Sequence, residues 1–373
     1  MLSPLQIGDL TATVPIIQGG MGVGISLAGL AASVANSGGI GVIATAGIGM
    51  TESDFFSDYL AANARALRNE IRKARAATSG ILGVNIMVAL TNFKEMVEIA
   101  IEEGIDVIFS GAGLPLKLPQ YRPKGSKTRL VPIVSSGRAA SMLCRIWQEK
   151  SDCLPDAIVV EGPLAGGHLG FHFDQLDNPA YALEKLIADV VATVKPFEEK
   201  FDRRIPVIAA GGVYTGADIR KFINLGAAGV QMGTRFVVTE ECDASPDFKQ
   251  AYLKASPEDI MIIKSPVGMP GRVIRNAFIE AMNRGEKEPF KCPYHCIITC
   301  DYQHSPYCIA LALVQAQRGN FRHGFAFAGA NAWRTDKIVK VKELMDSLVM
   351  EYENLSVNKD NPTADPPRSA AIF

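Results

Sequence analysis

The stretch "EGPLAGGHLGFH", residues 161–172, places His168 directly behind Gly166 and Gly167, at the end of the apolar run "DAIVV". A strand buried in a core has no use for that order of residues. A backbone that must approach a ligand closely does, because glycine has no Cβ to hold the ligand away. Histidine beside such a ligand is suited to proton transfer, since its ordinary pKa lies near neutrality, and it could take a proton from a carbon acid. His172, four residues on, is the rival for that role. A ring bonded to backbone groups in the core is the alternative for His168.

A second constellation speaks of phosphate. Gly211 and Gly212 lead into a helix that begins near Thr215, and Gly233–Thr234 presents a turn with a hydroxyl. Glycine turns at helix N-termini offer backbone N–H groups to an anion. A dinucleotide fingerprint is missing: Gly39-x-Gly41-x-x-Ala44 enters an apolar run instead of leaving one for a helix. A mononucleotide phosphate therefore fits better than a dinucleotide or ATP. The third constellation is "CPYHCIITCDYQHSPYC", where Cys292, Cys296, Cys300 and Cys308 stand at spacings x3, x3 and x7. Cysteines four apart share a helical face, so an iron–sulfur cluster or zinc is one expectation and packed thiols the other.

These residues need elements to hold them. Eight apolar, β-branched runs recur: "VPIIQ" (14–18), "GIGVIAT" (39–45), "ILGVNIMV" (81–88), "IDVIFSG" (105–111), "LVPIVSS" (130–136), "DAIVVEG" (156–162), "IPVIAAGG" (205–212) and "AGVQMGT" (228–234). Nearly all apolar, they suit strands buried on both faces. Between them run helical stripes, such as Phe93, Met96, Val97, Ala100 and Ile101, or Ile219, Phe222, Ile223 and Gly226. The pattern predicts an α/β protein, a (β/α)8 TIM barrel, whose site lies at the C-terminal ends of the strands, where the glycine loops fall. Residues 1–240 would form the barrel, 241–309 a helical cap inserted after the eighth strand, and 310–373 helices returning to the barrel, with a disordered tail from 358.

Composition bounds the rest. The chain has 373 residues, 48% of them hydrophobic, and a formal net charge of −1. It can bury a large core, and its charge leaves no footprint for nucleic acid or an anionic membrane. No apolar run approaches the ~20 residues of a membrane span, and no secretory leader is visible. Seven cysteines in such a chain point to a reducing cytoplasm.

In order along the chain, "PIIQGGMG", "GVNIMV", "VVEGPLAGGHLG", "IPVIAAGGV" and "GVQMGTRF" fall within residues 15–236, followed by "VGMPGRVIRN" (267–276) and "AFAGANAW" (326–333). On these pieces the chain resembles the nitronate monooxygenase (2-nitropropane dioxygenase) family of FMN-dependent barrels. The resemblance implies that Gly20, Met21 and Gly22 lie against the flavin ring, that Asn85 hydrogen-bonds the ring or ribityl chain, and that Ser135 lies near it. It implies that Glu161, Gly166 and Gly167 belong to the flavin site, with Gly211, Gly212, Gly233 and Thr234 around the FMN phosphate. His168 would stand over the isoalloxazine as the catalytic residue.

Two redox activities stay open at this point. One oxidises a nitronate with O2 to a carbonyl compound and nitrite. The other is an NAD(P)H-dependent enoyl-thioester (enoyl-acyl-carrier-protein) reductase, for which Arg272 and Arg275 offer contacts to the nicotinamide nucleotide. A non-redox phosphosugar barrel is disfavoured by the apolar "GGMGVG" and "AFAGANAW", which suit a flat ring better than a sugar. The expected partner is a small-molecule substrate, with NAD(P)H for the reductase, and a homodimer is compatible with the sequence.

Overall fold

Each apolar run becomes a strand with one face turned into a barrel and the other onto helices. The strands are β1 (Ile16–Gln18), β2 (Gly41–Ala44), β3 (Leu82–Met87), β4 (Val107–Gly111), β5 (Arg129–Val134), β6 (Ile158–Glu161), β7 (Val207–Ala210) and β8 (Gly229–Met232). The computed structural model describes residues 2–292 and 295–360. All eight strands pair in parallel, in the ring order β1-β8-β7-β6-β5-β4-β3-β2. The ring closes just ahead of β2, where the Gln18 N–H donates to the Ile40 carbonyl and the Ile40 N–H to the Ile16 carbonyl, both at 3.0 Å.

Side chains alternate across each strand. Ile17, Val42, Phe109, Val131, Val159 and Ile208 fill the barrel, and the hairpin Leu5–Ile7 with Leu10–Ala12 plugs its floor. Ile16, Ile43, Val84, Ile108 and Val160 point outward into the helix layer. Both faces are apolar because neither meets water.

The helix layer comprises α1 (Ala28–Asn36), α2 (Tyr59–Ala77), α3 (Phe93–Glu102), α4 (Gly137–Ser151), α5 (Leu183–Phe201) and α6 (Gly216–Asn224). The link from β4 to β5 has no α-helix, only a 3₁₀ turn at Leu118–Tyr121. Pro115, Pro119 and Pro123 remove the N–H donors a longer helix there would need. After β8 comes a single helical turn, α7 (Thr234–Val237), followed by α8 (Pro246–Leu253), α9 (Ala277–Asn283), α10 (Ile309–Gln317) and α11 (Val341–Asp360).

α11 packs against both α6 and α1 and so takes the place of the eighth barrel helix. A Cβ on Gly216 would lie 2.4 Å from the Tyr352 backbone nitrogen, so only glycine permits this approach. The barrel is thus completed by residues beyond 240, from the far side of a long excursion.

That excursion is not the all-helical cap expected over 241–309. β9 (Ile260–Lys264) and β10 (Pro270–Ile274) form an antiparallel hairpin turned at Gly268, where φ is +86°. Gly167–His168 adds to β10 as a third strand. The β-branched "IMIIK" and "RVI" favour extended backbone, and the glycine supplies the turn. Of the tail expected from 358, residues 358–360 continue α11 and 361–373 lie outside the described residues. Among the described residues no helix is long and apolar enough to cross a membrane.

Candidate active site

A cavity of about 520 Å³ opens at the C-terminal ends of the strands, within the range of cofactor sites. Every residue expected to hold the flavin, and His168 with them, lines it: Gly20, Met21, Gly22, Asn85, Ser135, Glu161, Gly166, Gly167, His168, Gly211, Gly212, Gly233 and Thr234. The loop after β1 lies tight on its neighbours. A Cβ on Gly20 would fall 2.3 Å from Asn85 Cβ, and one on Gly22 2.9 Å from Ala46 Cβ. The flatness of this wall comes from missing side chains. The Asn85 carbonyl accepts from the Thr45 N–H and hydroxyl, each at 3.0 Å, while its side-chain amide has no partner among the described residues and borders the cavity.

At the opposite end Gly211 and Gly212 adopt φ of +89° and +90°, a region L side chains rarely enter. The N–H groups of Gly212 and Val213 find no acceptor among the described residues. Unpaired donors on a cavity wall are what a phosphate needs. The helix N-terminus expected to share this task does not. Asp218 accepts the N–H groups of Tyr214 and Thr215, at 3.0 and 2.9 Å, and Glu351 accepts that of Gly216 at 2.8 Å. The backbone groups still open to the cavity are those of Gly211–Val213 and Gly233–Thr234, all on its wall. Arg235 and Arg334 stack on Tyr214 just behind it, 4.6 and 4.4 Å from the ring centroid.

His168 lines the same cavity. Its Nε2 lies 2.7 Å from Ser265 Oγ, and its ring meets Phe327 edge-on at 4.9 Å. Protein encloses the imidazole and pushes its pKa down to about 4, so at neutral pH it is uncharged. Glu161, at the end of β6, has no hydrogen-bond partner for its carboxyl group among the described residues, and burial pushes its pKa up to about 7. The rival His172 is exposed, precedes a 3₁₀ turn and does not line the cavity.

The sequence profile described as nitronate monooxygenase matches residues 4–351. The chain belongs to the nitronate monooxygenase family. A probable nitronate monooxygenase of Staphylococcus aureus is 31% identical over 313 residues, covering 74% of this chain and 79% of that one. A (3aS,4S,5R,7aS)-5-hydroxy-7a-methyl-1-oxo-octahydro-1H-indene-4-carboxyl-CoA dehydrogenase of Mycobacterium tuberculosis is 31% identical over 273 residues, covering 73% of this chain and 66% of that relative. The structure of FabK from Thermotoga maritima superposes with a TM-score of 0.71 at 29% identity, over 94% of this chain and 96% of that one. The chain is an oxidoreductase on a TIM barrel, and flavin dependence is general to its family.

Against this family background two expectations need correction. The cysteine stretch forms no helix among its described residues, so Cys292, Cys296 and Cys300 do not share a helical face. No three His, Cys, Asp or Glu side chains among the described residues are arranged to hold a metal. Burial pushes the Cys296 thiol up to about 12, leaving a protonated thiol on the cavity wall, and Cys300 packs against the apolar cluster that includes Tyr307 and Ile309. The expectation of an iron–sulfur cluster or zinc finds no support among the described residues.

The second concerns the arginines. Arg272 is buried, and one guanidinium nitrogen donates to the carbonyls of Pro163 and Ala165, both at 2.6 Å. Arg275 pairs with Asp259. Neither reaches the cavity wall, which carries no lysine or arginine among the described residues. Arg272 instead anchors the loop that delivers Gly166–His168.

Reasoning from the sequence missed Ser265, which carries no motif of its own beyond the nearby Gly268 turn. It also missed a further part of the wall, lined by Phe55 just before α2, Tyr59 on α2 and Leu313 on α10. These are ordinary apolar residues whose role depends on where α10 lands.

Proposed function

We propose that the enzyme holds one FMN in this cavity and oxidises alkyl nitronates with O2, yielding a carbonyl compound and nitrite. The observation that carries the reading is the character of the wall around His168. It is largely apolar, Glu161 is its one acidic residue and it carries no lysine or arginine among the described residues, and its histidine is neutral at pH 7. Such a wall suits the alkyl remainder of a small substrate and leaves its two oxygens to hydrogen-bond donors such as the His168 ring.

The residues present fit FMN. Gly20 and Gly22 leave a flat wall, Asn85 offers an unpartnered amide, and Gly212 and Val213 offer unpaired N–H groups to the phosphate. When bound, the flavin supplies the electron-accepting centre. The chain's own part is to orient the substrate beside His168 and to keep water out with Phe55, Leu313 and Phe327. The seven free thiols support a reducing, cytoplasmic setting.

The enoyl-thioester reductase is the second reading, favoured by the likeness to FabK. It is weakened because Arg272 and Arg275, the contacts expected for a nicotinamide nucleotide, are both engaged elsewhere. The test is anaerobic reduction of the bound flavin by propyl-2-nitronate, NADH and NADPH in parallel. Bleaching by the nitronate alone supports the first reading. Rapid bleaching by a pyridine nucleotide would replace it with the second.

A further inference from the structure

We infer that Ser265 holds His168 in one neutral tautomer, with the ring proton on Nδ1, so that His168 meets the substrate as a hydrogen-bond donor to an anionic oxygen and not as a base. The role toward substrate rests on the nitronate reading above; the tautomer stands on the hydrogen bonds alone.

Ser265 directly follows β9, and only 3% of its surface is exposed. Its Oγ accepts the Val267 N–H at 3.4 Å and lies 2.7 Å from His168 Nε2. A hydroxyl carries one proton, and leaving it without an acceptor in a buried place costs about 1–3 kcal/mol. Among the described residues no carbonyl or carboxylate accepts it. The remaining acceptor is His168 Nε2, which must then present its lone pair to the serine. A neutral ring with a lone pair on Nε2 has its proton on Nδ1.

The ring cannot easily turn to escape this assignment. Its backbone is held in the small sheet, where His168 stands opposite Gly271, and its edge meets Phe327. Nδ1 has no partner among the described residues, and His168 borders the cavity. The enclosure that keeps the imidazole uncharged also removes any second proton at neutral pH. To deprotonate a nitroalkane, the nitrogen facing the substrate would need its lone pair. An N–H in that place suits the oxygens of a nitronate, which has already lost its carbon-bound proton. Ser265 is thereby a positioning residue that sets selectivity for the anion over its neutral conjugate acid.

The direct test is ¹⁵N NMR of FMN-loaded enzyme labelled at histidine, with His168→Asn used to assign the signal. The expected spectrum has a proton on Nδ1 and none on Nε2 of His168; a proton on Nε2 overturns the inference. In Ser265→Ala the two tautomers should exchange, and Ser265→Thr, which keeps the hydroxyl, should restore the single form. Kinetics on the same proteins give the second readout. Wild type should favour propyl-2-nitronate over 2-nitropropane by at least ~10²-fold in kcat/KM, the usual worth of the missing base. Ser265→Ala should narrow that gap, and equal use of both substrates by wild type would overturn the donor role. If loaded enzyme oxidises no nitronate yet shows the Nδ1 proton, the functional reading fails and the tautomer stands. If nitronate is oxidised with the proton on Nε2, the inference fails alone.

Discussion

The side-chain amide of Asn331 donates to the Gly212 carbonyl across 2.8 Å, although the two residues are 119 positions apart. The segment after the excursion thereby clamps the turn whose N–H groups face the cavity. A Cβ on the neighbouring Gly329 would lie 2.5 Å from Thr234 Oγ1, so this segment lies against both glycine turns at once.

Removing the clamp should loosen the cofactor. Asn331→Ala leaves the Gly212 turn free to relax, and FMN affinity should fall by roughly 5- to 10-fold, the net worth of one hydrogen bond. Flavin fluorescence titration of the reconstituted protein measures it. An unchanged Kd would mean that the turn needs no help from the last segment.

The phosphate end admits a sharper trial. Gly212→Asp brings a carboxylate to the anion site and should yield protein without flavin. Gly212→Ala imposes the same φ of +90° on an L residue without the charge, and its Cβ would meet Leu164 Cβ at 2.9 Å. If alanine and aspartate lose flavin equally, backbone strain rather than repulsion is responsible. If the aspartate variant purifies fully loaded, the phosphate lies elsewhere.

His168 separates its two imaginable roles by substitution. Asparagine keeps an N–H donor close to the Nδ1 position, whereas leucine keeps only volume. For propyl-2-nitronate, kcat/KM should fall roughly 10- to 100-fold in His168→Leu, the range of a hydrogen bond to a charged group. The fall in His168→Asn should be clearly smaller. Equal losses in the two variants would sink the donor role.

Glu161 and His168 should pull stability in opposite directions with pH. The Glu161 pKa rises from 4.5 to about 7 on folding, so its contribution is full below pH 4.5 and lost as pH climbs through 7. The His168 pKa falls from 6.5 to about 4, so its contribution is full above pH 6.5 and lost as pH drops through 4. In flavin-free protein, Glu161→Gln removes the first effect and leaves the second. Its Tm relative to wild type should therefore be higher above pH 7 than below pH 4.5. A Tm difference that is the same at both ends would show that Glu161 does not titrate across folding.

Much of this protein is legible residue by residue. Apolar runs such as "DAIVV" and "IPVIAA" read as strands covered on both faces, and their number favours a barrel over a doubly wound open sheet. Gly211 and Gly212 announce a backbone that other residues cannot adopt, and His168 stands out as a titratable group in such a loop. These are local properties, set by side-chain volume, branching and φ, and they survive without knowledge of neighbours. What depends on neighbours was decided by the tertiary fold. The N–H groups at the start of α6 looked available for phosphate until Glu351, 135 positions away, took one of them and Asp218 two more. Arg272 looked ready for a nucleotide until the carbonyls of Pro163 and Ala165 claimed it, more than a hundred positions back. The cysteine spacing matched a helix that the chain does not form there. Ser265, 97 positions from His168, became its partner only because β10 pairs with the strand that carries the histidine. A hydrogen-bonding group goes to whichever partner the packing brings within reach, and spacing along the chain does not carry that information.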